Sequence, residues 1–337
     1  MEVWMEKKNV TMSDIAKEIG VSIVSVSKAL NGKDGVSESV RKAIQEKAEE
    51  MGYKYAKSDK ETRARNSIGI IVNEHFISKD AYYSRLYEKA MMMLAEEGQI
   101  GLLEIIKRSA RKNLEAPALI ASDQIRGIIV LGQMSSQYLN MLRKYDIPLL
   151  YMDFYKENPM EDAVVSDSVY GSSILTDYLI RNGHKKIAFV GSIYSTSSIM
   201  DRYIGYYKAM LLARLKIRPE WLIDDRDEEG NKIELKLPED MPTAFVCNSD
   251  AVAFETIKQL QNKGYSVPED ISVVGFDNFI YSEMSTPKIT TYGVDMDAMV
   301  QNTVRIILKK IEDKDYHVGR VVVSGTMIER QSVKKII

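Results

Sequence analysis

Residues 10–32 read VTMSDIAKEIGVSIVSVSKALNG, two short amphipathic patterns joined by Gly20-Val21-Ser22. This spacing admits few folds. Ile15, Ala16 and Ile19 share one face of the first pattern, and Val26, Ala29 and Leu30 share one face of the second. Ser13 stands where an N-cap would, before an acidic first turn. Gly20 can take the positive φ that stops a helix, Val21 can plug the corner, and Ser22 can cap the second helix. A third helix, from about Ser37 to Met51, presents Val40, Ile44, Ala48 and Met51 at helical spacing and ends at Gly52. The three helices can close one small core. A second helix braced this way can lie in a DNA major groove with its N-terminal side chains on base edges. Any small helical bundle with a glycine turn has the same pattern. Ile23, Val24, Ser25, Ser27 and Lys28 point outward from it.

Residues 10–53 also resemble the headpiece of the lac-repressor (LacI/GalR) family of bacterial transcription regulators. The carrying residues are Val10-Thr11, Asp14-Ile15-Ala16, Gly20-Val21-Ser22, Val26-Ser27, Asn31-Gly32, Val36-Ser37, Arg41 and Gly52-Tyr53. The resemblance implies that Thr11, Ser22, Ser25, Ser27 and Asn31 lie near phosphates, that Ile23, Val24 and Lys28 read bases, and that Tyr53 joins the DNA contacts. Ile23 and Val24 cannot make hydrogen bonds through their side chains, so they are expected on thymine methyls, with Lys28 on guanine O6/N7. Burial of Ile23 and Val24 under the linker is the other reading.

The linker departs from the family pattern. Residues 54–66 read KYAKSDKETRARN, without the proline and the leucine wedge that the resemblance implies. Arg63 and Arg65 can track phosphates, or the segment can be a charged, flexible tether.

Charge and composition set the partners. Residues 1–65 carry slightly more Lys and Arg than Asp and Glu, the remainder carries fewer, and the total is −2. A weakly basic headpiece predicts modest non-specific affinity, so two copies on a near-palindromic, double-stranded operator are expected, hence a homodimer. The lone cysteine, Cys247, sits in the apolar run AFVC, excludes an intrachain disulfide and fits a cytoplasmic protein. No apolar run is long enough for a bilayer and no secretory h-region stands near the start, so no membrane partner is expected.

From residue 67, short apolar runs alternate with amphipathic helices. The runs are 68–72, 100–106, 127–132, 148–154, 163–167, 187–191, 243–247 and 271–277. The helical stretches include 82–97, 168–182, 202–215 and 251–264. Such Val- and Ile-rich runs predict doubly wound parallel sheets. Ile147-Pro148 through Asp153, Gly183 through Gly191, Arg202 with Gly205, Asp250 through Ala253, Pro268 through Asp277 and Pro287 through Thr291 resemble the family's effector-binding core. The implied architecture is an all-α three-helix helix–turn–helix headpiece (8–53), a linker (54–66) and an α/β two-lobed periplasmic-binding-protein-like core (67–332). Its lobes would be about 67–165 with 295–322, and 166–294 with 323–332.

In such sheets ligands sit beyond the carboxyl ends of the strands. Carried over from the resemblance, Asp153, Arg202 and Asp250 are the expected charged pocket residues, with Arg202 opening a helix. Carboxylates and a guanidinium suit a polyhydroxylated ligand. Phe76, Tyr83, Phe154, Tyr194 and Phe276 are candidate aromatic platforms for a sugar ring. Interlobe salt bridges and core packing are the alternatives, and Asp277 is read equally as a turn cap. Ser249 stands where the family commonly has Asn, and residues 221–238 lack its usual aromatic, so Asp225, Arg226 and Asp227 either enter the pocket or form a solvated hairpin. His75, His184 and His317 show no metal spacing, and no P-loop, dinucleotide fingerprint or nucleophile elbow appears. The expected protein is therefore a regulator without a cofactor, not an enzyme. Its operator affinity is set by a small molecule, a sugar or sugar derivative, that shifts the lobe angle. A regulator sensing a purine, or a sugar-binding module that reads no DNA, are the alternatives. The chain ends at Ile337 without leucine heptads, so no C-terminal tetramer-forming helix is expected.

Overall fold

The computed structural model describes residues 10–30, 34–53, 67–79, 81–122, 124–158 and 160–336. Asn31 and the linker 54–66, with Arg63 and Arg65, lie outside the described residues. Two compact units divide between Asn66 and Ser67.

In the first unit α1 (Met12–Ile19), α2 (Ile23–Leu30) and α3 (Glu38–Glu50) enclose Ile15, Ala16, Val26, Ala29, Leu30, Ile44 and Ala48. The cap of α1 is Thr11, not Ser13. Thr11 Oγ1 accepts the Asp14 N–H at 3.3 Å and Asp14 Oδ2 accepts the Thr11 N–H at 2.8 Å, a reciprocal capping box. Both hydroxyls could cap, but only Thr11 has an acid three residues on; Ser13 has Ala16 there. Gly20 ends α1 at φ 73, a left-handed position that a Cβ would strain. Ser22 Oγ then accepts the Ser25 N–H at 3.0 Å and starts α2.

The second unit runs through β1 (Ser67–Asn73), α4 (Ala81–Glu96), β2 (Ile100–Ile106), β3 (Gly127–Leu131), β4 (Leu149–Met152) and β5 (Ala163–Ser166). It continues with α5 (Ser168–Arg181), β6 (Ile187–Val190), α6 (Ser197–Leu212), β7 (Leu222–Ile223), β8 (Ala244–Cys247), α7 (Asp250–Asn262), β9 (Ser272–Asp277) and β10 (Thr290–Gly293). It closes with α8 (Met296–Glu312), β11 (Arg320–Val323) and β12 (Thr326–Ile328). These strands make two six-stranded sheets, β11-β5-β4-β3-β1-β2 and β12-β10-β9-β8-β6-β7. All pairs are parallel except β10 with β12. Apolar runs buried on both faces favour this parallel pairing: every residue of β1, β3, β6 and β8 is buried.

The chain passes between the lobes three times, after β5, after β10 and after β11. Helix α8 returns to the first lobe, where Met299, Val300, Val304 and Ile307 pack with Ile68, Val72 and Leu150. In each lobe the first strand lies between the second and the third, so the strand order reverses beside β1 and again beside β6. That reversal opens a crevice at the carboxyl ends of the strands, one crevice in each lobe. Close packing of α5 on α6 depends on Gly205, where a Cβ would collide with the Val169 carbonyl. No helix among the described residues is long and apolar enough to cross a membrane.

Candidate DNA-reading and effector-binding sites

On α2, Ile23 is 52% and Val24 63% exposed, so neither is buried in the headpiece. An apolar side chain left in water on a helix only eight residues long has methyl groups ready for an apolar partner. Ser22 Oγ and Ser25 Oγ lie 2.8 Å apart, so one hydroxyl hydrogen remains to be shared outward. Ser27 and Lys28 are half-buried, and the Lys28 amine folds toward Gly35. Thr11 is occupied by the capping box, and Tyr53 packs partly buried on the headpiece core.

In the second unit both crevices open onto one cavity of about 90 Å³. From the first lobe come His75 and Phe76, which follow β1, Tyr82 and Tyr83 near the start of α4, and Asp153, which follows β4. From the second come Arg202 on α6, Ser249 at the cap of α7 and Asp277 at the end of β9. Asp153 and Asp277 both hold left-handed backbone, at φ 66 and φ 107. Strained positions of this kind cluster at ligand sites, where the fold must aim a side chain.

The charges are interlocked. Tyr83 Oη donates to Asp153 Oδ2 at 2.8 Å and Tyr82 Oη to Oδ1 at 3.4 Å. Arg202 Nη2 donates to Asp277 Oδ1 at 3.0 Å and Nη1 to the Asn248 carbonyl. Its guanidinium lies 3.9 Å over the Phe276 ring. Burial works against the Arg202 charge, but the Asp277 and Asp153 carboxylates more than offset it and raise its pKa. Arg202 Nε is buried without a partner.

Four expected pocket residues lie elsewhere. Asp250 is fully buried beneath the cavity, where Oδ1 accepts from Thr291 Oγ1 at 2.6 Å and Oδ2 from the Phe279 N–H at 2.7 Å. As the first residue of α7 it turns toward β9 and β10, and Ser249, Ala251 and Val252 line the cavity instead. Phe154 stacks on Tyr151 at 4.8 Å inside the first lobe, and Phe276 is buried under Arg202. Tyr194 is 92% exposed and borders an outer cleft of about 1310 Å³. Arg202 does not open its helix: Thr196 caps α6, which begins five residues before Arg202, because the polar run STSS at 195–198 supplies the cap and the first turn.

Residues 224–233 form a hairpin that is exposed along much of its length and also borders both cavities, Arg226, Gly230 and Lys232 lining the inner one. Its base is the buried Asp225, which pairs with Arg226 at 2.6 Å and accepts the Ser192 N–H at 2.8 Å. Burial opposes the Asp225 charge, but Arg226 and Ser192 outweigh it and hold the carboxyl below its usual range. The tip crosses to the other lobe, where Arg108 grips Glu229 with two hydrogen bonds of 3.0 and 2.6 Å. Tyr82, His75 and Lys232 were missed in the sequence; only the adjacency of Tyr82 to Tyr83 hinted at one of them. Of the other residues singled out, His184 bridges Thr243 and the Lys334 carbonyl, and burial lowers its pKa. Cys247 is buried in β8, its thiol pushed up to about 12.

Two family models match the chain: bacterial regulatory proteins, lacI family, over residues 11–55, and the periplasmic binding protein-like domain over residues 176–333. The HTH-type transcriptional repressor PurR of Histophilus somni (strain 129Pt) is 29% identical over 338 residues, 97% of this chain and 99% of that protein. PurR of Vibrio campbellii (strain ATCC BAA-1116) is 26% identical over 334 residues with the same coverage. Among solved structures, a transcriptional regulator CelR–cellobiose complex matches with a TM-score of 0.70 and 22% identity, covering 96% of this chain and all of that one. The lac repressor dimer bound to operator and the anti-inducer ONPF matches with a TM-score of 0.70 and 18% identity, over 97% of this chain and 100% of that chain. These structures share the fold. With an exposed reading helix ahead of a two-lobed cleft, and with relatives aligned along nearly the whole length, the chain carries a lacI-family regulatory domain followed by a periplasmic binding protein-like domain, the make-up of a DNA-binding transcriptional repressor with an effector-binding core.

Proposed function

We propose that this repressor, a cytoplasmic homodimer on a near-palindromic operator, is governed by a sugar or sugar derivative bound between its lobes at Phe76, Tyr83, Asp153 and Arg202. It is a regulator and not an enzyme. The observation that carries the reading is the pairing of Asp153 and Asp277, one from each lobe, around Arg202. Carboxylates accept paired hydroxyls, a guanidinium donates a fork, and the faces of Phe76 and Tyr83, 4.6 Å apart, offer an apolar floor. On the DNA, Ser22, Ser25, Ser27 and Thr11 hold phosphates, and Ile23, Val24 and Lys28 read bases. The ligand selects one lobe angle and so changes operator affinity.

A purine effector is the second reading, favoured by the PurR relatives. One experiment separates the two. Full-length protein on an operator selected in vitro is titrated with saccharides and with purine bases, and operator affinity is followed by fluorescence anisotropy. A saccharide that shifts affinity supports the first reading. A response to purines alone overturns it.

A further inference from the structure

Helix α6 buries one face against the second lobe and leaves an apolar stripe on the other. Ile204, Tyr207, Leu211 and Leu212 recur at helical spacing and are exposed, the two leucines at 62% and 75%. Tyr203, half-buried, extends the stripe: its ring centroid lies 6.1 Å from that of Tyr207, and Tyr194 stands close enough to act on its hydroxyl. With Tyr194, and at roughly 150–250 Å² for a whole aromatic side chain and somewhat less for Leu or Ile, these exposed side chains leave on the order of 600 Å² of apolar surface in water. That equals the largest patch on a typical monomer, which is often functional. One cation stands in it. Lys208 is exposed beside Tyr207, and Asp201, the single acid of α6, is engaged by Tyr155. A second apolar group lies across the sheet. Along β8, Phe245 and Cys247 pack with α7, while Ala244 and Val246 pack with α5 and α6, so α6 and α7 cover opposite faces. The helix Ile280–Met284 lies against α7, with the Phe254 and Tyr281 rings 5.8 Å apart, and exposes Ile280 and Met284. A two-fold dimer joins the same patch of both copies, so an operator dimer built on one of these sides leaves the other in water.

We propose that α6 is a second self-association surface, through which two operator dimers join as a tetramer by antiparallel pairing of α6 with α6 of the other dimer about a two-fold axis. This pairing sets Ile204 of one helix opposite Leu211 of the other, and Lys208 opposite Tyr207, whose ring face attracts the ammonium. The stripe is thus complementary to a copy of itself, and its cation needs no acid from a partner. The joined patches cover about 1,200 Å², the lower end of the standard range for a specific interface. The tetramer goes beyond the operator dimer: it lets one assembly hold two operators on a single DNA, and it leaves the reading of each operator and the effector cleft untouched.

The test is sedimentation velocity of the full-length protein across the micromolar range. The native protein should move from two chains to four as its concentration rises. Leu211→Glu alone, or Ile204→Lys alone, should hold it at two. Melting temperature and affinity for a single operator should not change, because both side chains already face water. Combining Ile204→Lys with Leu211→Glu should restore four chains, because antiparallel pairing sets each new charge opposite its counter-charge. DNA carrying two operators should bind the native protein at least about tenfold more tightly than DNA carrying one, and Leu211→Glu should remove that gain. A native protein that stays at two chains overturns the proposal and leaves the face to a different partner. Single variants that fall to one chain and lose the operator overturn it too, because α6 would then be the operator-dimer contact itself. A double variant that stays at two chains overturns the antiparallel pairing.

Discussion

The headpiece and the core place their working residues by opposite means. In the headpiece, Ile23 and Val24 stand on a helix whose cap, turn and buried stripe all lie within a dozen residues of them. In the core, Asp153 meets Tyr83 from 70 residues away, and Arg202 meets Asp277 from 75. Local order fixes what the first site exposes. Tertiary packing fixes what the second one charges. Damage to the first should therefore cost recognition, and damage to the second should cost stability as well.

Arg202→Ala should produce the largest effect. It would take the buried guanidinium away from the part-buried Asp277 carboxylate and from the field of Asp153, and removing one partner of such a buried pair typically destabilises by about 3–5 kcal/mol. Calorimetry should show the core transition falling and the headpiece transition unmoved. Equal shifts in both would break the contrast between the two units.

The next effect is pH-dependent and also belongs to the core. Burial pushes Asp250 up to about 7 from an ordinary value of 3.8, against hydrogen bonds from Thr291 and the Phe279 N–H. A carboxyl raised on folding holds its proton more tightly in the native state. Its contribution is complete below the unfolded value and is lost as pH rises through the folded one, by about 1.4 kcal/mol for each pH unit between them. Asp250→Asn should flatten that decline in thermal melts between pH 4 and 8. Parallel profiles for the two proteins would show that Asp250 is already ionised in the fold.

How much of each site was legible follows the same division. The headpiece helices, their buried stripes and the exposure of Ile23 and Val24 follow from periodicity, because every deciding contact is local. Even there the expected cap, Ser13, gives way to Thr11, which has an acid three residues on. In the core the long buried strands announce themselves, but β7, with two residues, and β10, rich in threonine, do not. Asp153 and Arg202 were carried over from the family resemblance, and the cavity includes both. Asp250 was readable on the same grounds and lies under the cavity, because position along the chain does not say which side of a helix end faces the ligand. The hairpin at 224–233 has no apolar period at all. Its place over the cleft depends on Arg108, more than a hundred residues earlier.

Val24→Ser tests the local site. At 63% exposure the change should leave headpiece melting intact. If Val24 rests on a thymine methyl, operator affinity should fall by about 1 kcal/mol, at the low end of a single mismatched pair. Replacing the contacted thymine by deoxyuridine should cost the native protein the same amount and the variant nothing. A variant as sensitive to that replacement as the native protein would place the methyl contact elsewhere.

The Arg108–Glu229 pair should have the smallest effect on stability and a distinct effect on kinetics. Both side chains are about half exposed, at 51% and 53%, so solvent screens the pair. Yet it ties the hairpin of one lobe to the other across the cleft. Ordinary ligand pockets hold roughly 300–1,000 Å³, so the inner cavity of about 90 Å³ must widen to admit a ligand, and the hairpin stands at its edge. Arg108→Gln should leave the melting temperature within error and raise effector association and dissociation rates together. Arg108→Glu combined with Glu229→Arg should bring both rates back, because the swapped charges can rebuild the tie. Rates that ignore all three changes would make the pair a surface ornament of the hairpin, and lobe opening would then be limited elsewhere, with Tyr155 donating to Asp201 at 2.8 Å as the next interlobe contact to cut.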